Sequence, residues 1–426
     1  MIDWDADYLC RVGAETIDLS EGIDSVDDLR RRIEPWLSAI FQSEHLSLLV
    51  GSGLPMSVAT CAHVSAANLA DLPEFGELAD VIAKRASASA ELMGRGSANY
   101  EDYLRAAMEL RDGLMILDDE RAVVLGSSIT SAIEGLLAAV LKGEQDFRDA
   151  VEGGSQESLR ARLLLQAFIL SFASRASSRE RLNLFTLNYD RFVEYACEEI
   201  GLVVLDRFFG TMAPIMRATR LDLDMHYNPP GIRGEPRYLE GVLRLTKLHG
   251  SLDWVQEGAR VRRAPIAFGA EEISERPGDE VVIYTNPMKA IETAFYPYSE
   301  LFRDFSAAVC RPNSALVTFG YGFGDSHVNS SIADMLSIPS THLVVISYDG
   351  ADGRIRSFCE RVNPAQLTLL VGKDFGSLEP MVERYLPKSA IDVISERRSR
   401  LMERRGGAAD PASGAREATS EAERDE

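Results

Sequence analysis

Apolar positions along this chain follow two rhythms. In one, compact apolar runs stop abruptly at polar or glycine residues, which predicts strands: HLSLLV (His45 to Val50), RLNLFTLN, LVVL (Leu202 to Leu205), VLRLTKLHG, VVIYTNP, ALVTFGYG (Ala315 to Gly322), HLVVISYD (His342 to Asp349) and QLTLLVG (Gln366 to Gly372). Helical patterns such as SELFRDFSAAV and SSIADML separate many of them. Short apolar strands alternating with helices predict an α/β fold with a largely parallel sheet covered on both faces. In the other rhythm, from Asp71 to Ser178, apolar residues recur at three and four through ELADVIAKRA, NYEDYLRAAMELRDGLMIL, SSITSAIEGLLAAVLKG and SQESLRARLLLQAFILSFASRA, which predicts a large helical insertion. The resulting division is a lead-in over 1–40 with one amphipathic helix capped by Ser25, an α/β body over 41–70 and 179–390, the insertion over 71–178, and a C-terminal helix and disordered tail over 391–426. No internal repeat is visible.

Charge narrows the partners. With 45 basic and 66 acidic side chains the net charge is −21, so the chain should repel phosphate backbones and anionic membrane surfaces. Its cysteines, at 10, 61, 197, 310 and 359, form no C-x-x-C, so neither a zinc ribbon nor a redox dithiol is expected, and no metal. The scattered, odd number suits a reducing cytoplasm. The N-terminus MIDWDADYLCRVG has neither the basic nor the apolar region of a signal peptide, and no apolar run approaches the ~20 residues of a membrane span. A cytoplasmic protein is the expectation.

Two glycine turns follow predicted strands. Gly51-Ser52-Gly53 opens a helix, where glycines permit close approach of backbone to a pyrophosphate and the helix N-terminus supplies partial positive charge; a structural strand-to-helix turn explains it equally well. GYGFGDSH places Gly320, Gly322 and Gly324 at alternate positions before Asp325 and His327. One strand later, Ser347 and Asp349 stand where a dinucleotide site takes hold of a ribose hydroxyl, though Asp349 also suits the start of the turn DGADG. Two further strands end in polar residues: NLFTLNYD in Asn188, with Asp190 placed to cap the next helix or support the site, and LRLTKLHG in His249. In a parallel sheet both ends open onto one crevice. A metal reading of His327 with Asp325, His249 and Asp253 lacks HxxxH or HxH spacing. Trp254 could stack on a ligand or sit in the core, and Lys289 in TNPMK could face pocket or solvent.

Taken in order, GSG, TLNYDRFVE, KLHGSLDW, TNPMK and VTFGYGFGDSHVN resemble the bacterial sirtuin-like domains of anti-phage defence systems, over roughly residues 45 to 350. The resemblance implies a Rossmann-like fold that binds NAD and cleaves its nicotinamide–ribose bond. It maps the catalytic pair onto Asn188 and His249, the phosphate turn onto Gly51 and Gly53, and the adenosine-side loop onto Gly320 and Gly324. It also implies a homo-oligomer and a partner in trans, such as a HerA-type motor ATPase or an Argonaute-like protein; this chain has no G-x-x-x-x-G-K-[ST] of its own. Two departures stand out. Pro55 occupies a position where sirtuins carry Ser, and no four-cysteine zinc module of the protein-deacylating members is encoded.

The chemistry fits the residues. Nicotinamide is cationic in NAD and leaves neutral, so no acid must protonate it, and a positioned nucleophile is what the reaction needs. Asn188 offers a donor and an acceptor to orient water or a ribose hydroxyl, and His249 can accept a proton. The expected activity is therefore NAD hydrolysis to nicotinamide and ADP-ribose. An NAD-dependent protein deacylase and a catalytically idle nucleotide-binding module are the alternatives.

Overall fold

Strand residues buried on both sides dictate the architecture. The computed structural model describes residues 7–19, 25–66, 74–92, 96–217, 224–227, 237–257, 260–272, 281–283 and 296–388, with Trp4 and Ile23. Lys289 and the expected C-terminal helix and tail lie outside the described residues. The strands are β1 (Leu9–Val12), β2 (Glu15–Ile17), β3 (His45–Val50), β4 (Asn183–Thr186), β5 (Val203–Leu205), β6 (Phe208–Phe209), β7 (Ile215–Met216), β8 (His226–Tyr227), β9 (Arg237–Tyr238), β10 (Val242–Lys247), β11 (Gly250–Glu257), β12 (Arg260–Arg263), β13 (Val281–Ile283), β14 (Ser314–Phe319), β15 (His342–Ser347) and β16 (Leu367–Val371). Nine of them form one sheet in the order β2-β1-β16-β15-β14-β3-β4-β10-β5. From β5 to β16 neighbours run parallel; β1 joins β16 and β2 antiparallel, so the lead-in contributes strands as well as its helix.

The helices are α1 (Val26–Phe41), α2 (Gly53–Ala62), α3 (Ala79–Leu92), α4 (Tyr100–Ile116), α5 (Arg121–Glu152), α6 (Gln156–Ala173), α7 (Phe192–Ile200), α8 (Tyr298–Val309), α9 (Ser326–Leu336) and α10 (Arg354–Cys359). Side chains alternate across the sheet. Leu46, Leu48, Val50, Val317 and Phe319 face a core shared with α1, α2, α6 and α7, while Leu49, Leu316, Leu343 and Val345 face one shared with α8, α9 and α10. Ser25 caps α1 by accepting the Asp28 amide at 3.3 Å, as expected. This is the Rossmann-like α/β arrangement, with an antiparallel sheet, β13-β11-β12-β7-β6, drawn from segments on either side of β10.

Between 71 and 178 the helices divide. The apolar α6 packs Leu165, Phe168, Ile169 and Phe172 into the main core. By contrast α3, α4 and α5 gather their own core around Leu104, Leu125, Ile133 and Leu137, and two body residues, Tyr189 and Leu252, enter it. Among the described residues one helix, α5, is long and apolar enough to cross a membrane by length and composition; a third of that stretch is buried inside the molecule. Its apolar residues are interrupted by Gly and Ser, so no continuous apolar run marks it in the sequence.

Sheet topology fixes where a ligand can sit. The chain leaves β3 towards β4 and β10, then returns to lay β14 on the other flank of β3. The direction of winding reverses between β3 and β14, and a crevice opens there beyond the strand carboxyl ends.

Candidate active site

Glycines make that crevice. A Cβ on Gly51 would lie 2.4 Å from the Gly320 carbonyl oxygen, and one on Gly53 or Gly320 would lie 2.5 Å from the other's Cα. The turns after β3 and β14 touch backbone to backbone, which only glycine permits. Gly320 also has φ +59, in the left-handed region. The Gly51 amide donates to Phe319 O at 3.0 Å and the Gly53 amide to Gly320 O at 3.1 Å. These bonds explain the glycines as a seam between two turns. Gly51 and Ser52 line the cavity beyond, whereas Gly53 and Gly320 lie in the seam behind it.

The cavity measures about 710 Å³, within the ~300–1,000 Å³ of small-molecule sites. It spans the sheet edge from the turn after β15 to that after β10. Asn188 and His249 both line it, delivered from strands β4 and β10. Thr186 prepares Asn188: its hydroxyl donates to Val50 O at 3.0 Å and accepts the Asn188 amide at 3.1 Å. The Asn188 side-chain nitrogen donates to Gly51 O at 2.9 Å, which orients its carbonyl oxygen as an acceptor.

His249 stands in the tight turn between β10 and β11 and is buried. Its Nε2 lies 3.1 Å from Asp325 Oδ2, and both side chains are about 5% exposed (6% and 5%). The other Asp325 oxygen accepts the His327 amide at 2.8 Å and the Val328 amide at 3.1 Å, capping α9. A carboxylate only accepts, so the pairing favours hydrogen on Nε2 and makes Nδ1 the nitrogen that can take a proton. Tyr321 and Asn329 brace the loop: the tyrosine hydroxyl reaches Asn329 Oδ1 at 2.9 Å, and Asn329 Nδ2 donates to Phe323 O at 2.8 Å.

Asp190 also lines the cavity and accepts the Phe192 amide at 3.3 Å, closing the turn that leads into α7; the N-cap position itself is Arg191, one residue later than the sequence reading placed it. Burial pushes its carboxyl up to about 7, with Lys247 pulling it down and Glu144 adding to the rise. Lys247 is buried behind this loop. It donates to the carbonyl of Asp190, lies 3.5 Å from that of Tyr189 and pairs with Glu194 at 3.1 Å. The insertion grips the same loop on either side. Tyr189 donates to Glu101 at 3.0 Å, and the fully buried Glu144 accepts the Arg191 amide at 2.7 Å and its guanidinium at 2.6 Å. Insertion residues Tyr100, Glu101, Leu136 and Val140 form the outer wall.

Gly322, Gly324 and Asp325 line the cavity as well. Ser347 and Asp349 do not. Ser347 is buried beneath residue 376, and Asp349 accepts the Ala351 amide at 2.9 Å, starting a turn that runs left-handed at Ala351 and Asp352 (φ +49 and +52). That turn points Asp349 into a separate hollow beside Tyr8 and Lys373, and brings Asp352 and Arg354 to the cavity instead. Arg354 donates to Gly322 O at 2.7 Å and pairs with Asp352 at 3.1 Å. Trp254 is core, edge-on to Phe208. Among the described residues no group of three His, Cys, Asp or Glu is placed to hold a metal ion.

Sequence reasoning missed Lys247, Glu101, Glu144 and Arg354. A lysine inside the apolar run LRLTKL was the one local signal; the others depend on partners far away in the chain.

The cavity lies at the switch point of a parallel sheet, between two glycine turns, where open α/β sheets bind their ligands. In the comparison with known families, residues 182–364, somewhat under half of the chain, match the family model described as a SIR2-like domain. The matched span contains Asn188, His249 and the GYGFGD loop; Gly51 to Gly53 and the insertion precede it. No curated protein is matched by the chain.

Proposed function

We propose that this protein hydrolyses NAD at the nicotinamide–ribose bond. The observation that carries the proposal is that Asn188 and His249, from strands separated in sequence, line one cavity with Asp325 braced against the imidazole. The Asn188 carbonyl accepts a hydrogen bond from water and aims its oxygen at the ribose C1′. The C1′–N bond breaks with its electron pair going to nicotinamide, the C1′–O bond forms, and the water proton passes to His249 Nδ1 and then to solvent. Products are nicotinamide, ADP-ribose and a proton. Asp325 stabilises the charged imidazole.

Charge around the cavity is graded in the sense that NAD requires. Glu101 lines the cavity with Asn188, where the cationic nicotinamide ring would lie, and Arg354 stands by Gly322 on the side of the anionic pyrophosphate. In this reading Gly51, Ser52, Gly322 and Gly324 flank the phosphates, and Asp352 takes the place first given to Asp349. The motif resemblance extends the proposal to an effector of bacterial anti-phage defence, with sensing supplied in trans by a HerA-type ATPase or similar partner; the net charge of −21 supports leaving nucleic acid to that partner. Five free thiols support a cytoplasmic setting.

One assay separates the readings. Purified protein is incubated with NAD, with and without an acyl-lysine peptide, and nicotinamide is quantified. Release without peptide is expected. Release only with peptide selects a deacylase, and binding of NAD without release selects an idle module.

A further inference from the structure

Asn188 and His249 supply a nucleophile, but NAD hydrolysis has a second need. As the C1′–N bond lengthens, positive charge passes from the nicotinamide ring to the ribose C1′ and O4′, and a fixed anion facing that sugar lowers the barrier. Four carboxylates line the cavity: Glu101, Asp190, Asp325 and Asp352. Three of them are engaged elsewhere. Asp325 holds the His249 imidazole and two amides of α9, and Asp352 pairs with Arg354 on the pyrophosphate side. Asp190 accepts the Phe192 amide, and burial raises its carboxyl to about 7.

Glu101 is the fourth, and it comes from the insertion, outside the span that matches the family model. Its place is fixed. Asn99 and Asp102 cap the start of α4 reciprocally, at 2.9 and 3.0 Å, so capping makes no demand on Glu101. Tyr100, one residue before it, donates to Ala132 O of α5 at 2.7 Å. Glu101 is half-buried and accepts the Tyr189 hydroxyl on Oε1 at 3.0 Å; Oε2 has no protein hydrogen bond among the described residues. Tyr189 follows Asn188 in the chain, and its ring centre lies 6.4 Å from that of His249. One oxygen of this carboxylate is thus tied to the loop that carries the catalytic pair. We propose, given NAD hydrolysis as read above, that Glu101 is a third catalytic residue, its carboxylate set against the ribose that carries nicotinamide. It accepts hydrogen bonds from the ribose hydroxyls and stabilises the cationic sugar as nicotinamide leaves. Glu101 forms no bond to C1′. That carbon takes its oxygen from water, the C1′–N electron pair goes to nicotinamide and the water proton to His249, so the carboxylate ends unchanged. The same contact could otherwise serve only to tether Tyr189, and charge tells the two roles apart: glutamine accepts the Tyr189 hydroxyl as glutamate does, but is neutral.

Two measurements on the full chain test this. In nicotinamide release, Glu101→Gln should lower kcat about 10²-fold, with KM within about threefold of wild type and an unchanged melting temperature. Tyr189→Phe, which cuts the tether and keeps the carboxylate, should lose less than about tenfold. In calorimetry, an ADP-ribose analogue with a protonated pyrrolidine in place of the terminal ribose should bind Glu101→Gln about 30-fold more weakly than wild type, and ADP-ribose itself equally well in both. Wild-type turnover in Glu101→Gln, or a larger loss in Tyr189→Phe, makes Glu101 a tether and overturns the proposal. So does equal affinity of the two proteins for the analogue. A wild type that releases no nicotinamide fails the hydrolase reading instead, and the analogue still decides whether Glu101 recognises the cationic sugar.

Discussion

The α/β body and the helical insertion are held by different means. In the body, the central strands β3, β4, β10, β14, β15 and β16 are covered above and below, and leucine, valine and phenylalanine alternate between two closed cores. In the insertion, α5 buries one face and leaves the other open, and the core is completed by Tyr189 borrowed from the body. Asn188, Tyr189 and Asp190 are therefore the seam. Their strand is anchored in one unit, and the side chain between the two site residues is anchored in the other. A site built at such a join can be rigid where its strands end, yet still sense movement of the layer that walls it.

The most severe break comes at the strand ends. Asn188→Ala and His249→Ala should each lower kcat for NAD by about 10³-fold or more, with near-native circular dichroism. Full activity in either variant would remove that residue from the mechanism.

Next is the seam itself. Glu144→Ala leaves the Arg191 guanidinium buried without its carboxylate, so unfolding free energy should fall by about 3–5 kcal/mol, and turnover with it as the loop loosens. Arg85→Ala, which loses only an exposed pair with Glu109 within the insertion, should cost less than about 1 kcal/mol. Equal costs for the two would erase the contrast between seam and surface.

Asp325→Asn isolates the imidazole. Asparagine still caps α9, so the melting temperature should hold while kcat drops by about 10²-fold, because the amide no longer enforces the productive tautomer. Parallel loss of stability and activity would make Asp325 a cap and nothing more.

The smallest effect is one of pH. The Asp190 carboxyl is raised by burial to about 7 in the fold, so the native state holds a proton that the unfolded chain has released. Its contribution is complete below the ordinary carboxyl value near 4 and is lost as pH rises through about 7. Asp190→Asn should remove that slope and, at pH 8, raise stability by on the order of 1 kcal/mol. An unchanged pH profile of chemical denaturation would contradict the raised value.

Much of this molecule could be read from its residues in order. Apolar runs closing at Val50, Thr186, Lys247, Phe319, Ser347 and Val371 determined the parallel strands, because a strand buried on both faces must be apolar throughout. The abrupt polar ends of two of those runs singled out Asn188 and His249, since a polar residue after a buried strand reaches the sheet's open edge. Local pattern could not decide partners distant in the chain. That Asp325 braces His249, that Gly53 meets Gly320, and that Glu144 and Glu101 grip the loop around Asp190 are contacts across 76, 267, 47 and 88 residues, decided by packing. Asp349 and Asp352 show the same division: three positions apart in one acidic turn, they are told apart only by the left-handed backbone at Ala351 and Asp352, which turns one carboxylate from the cavity and brings the other to its wall.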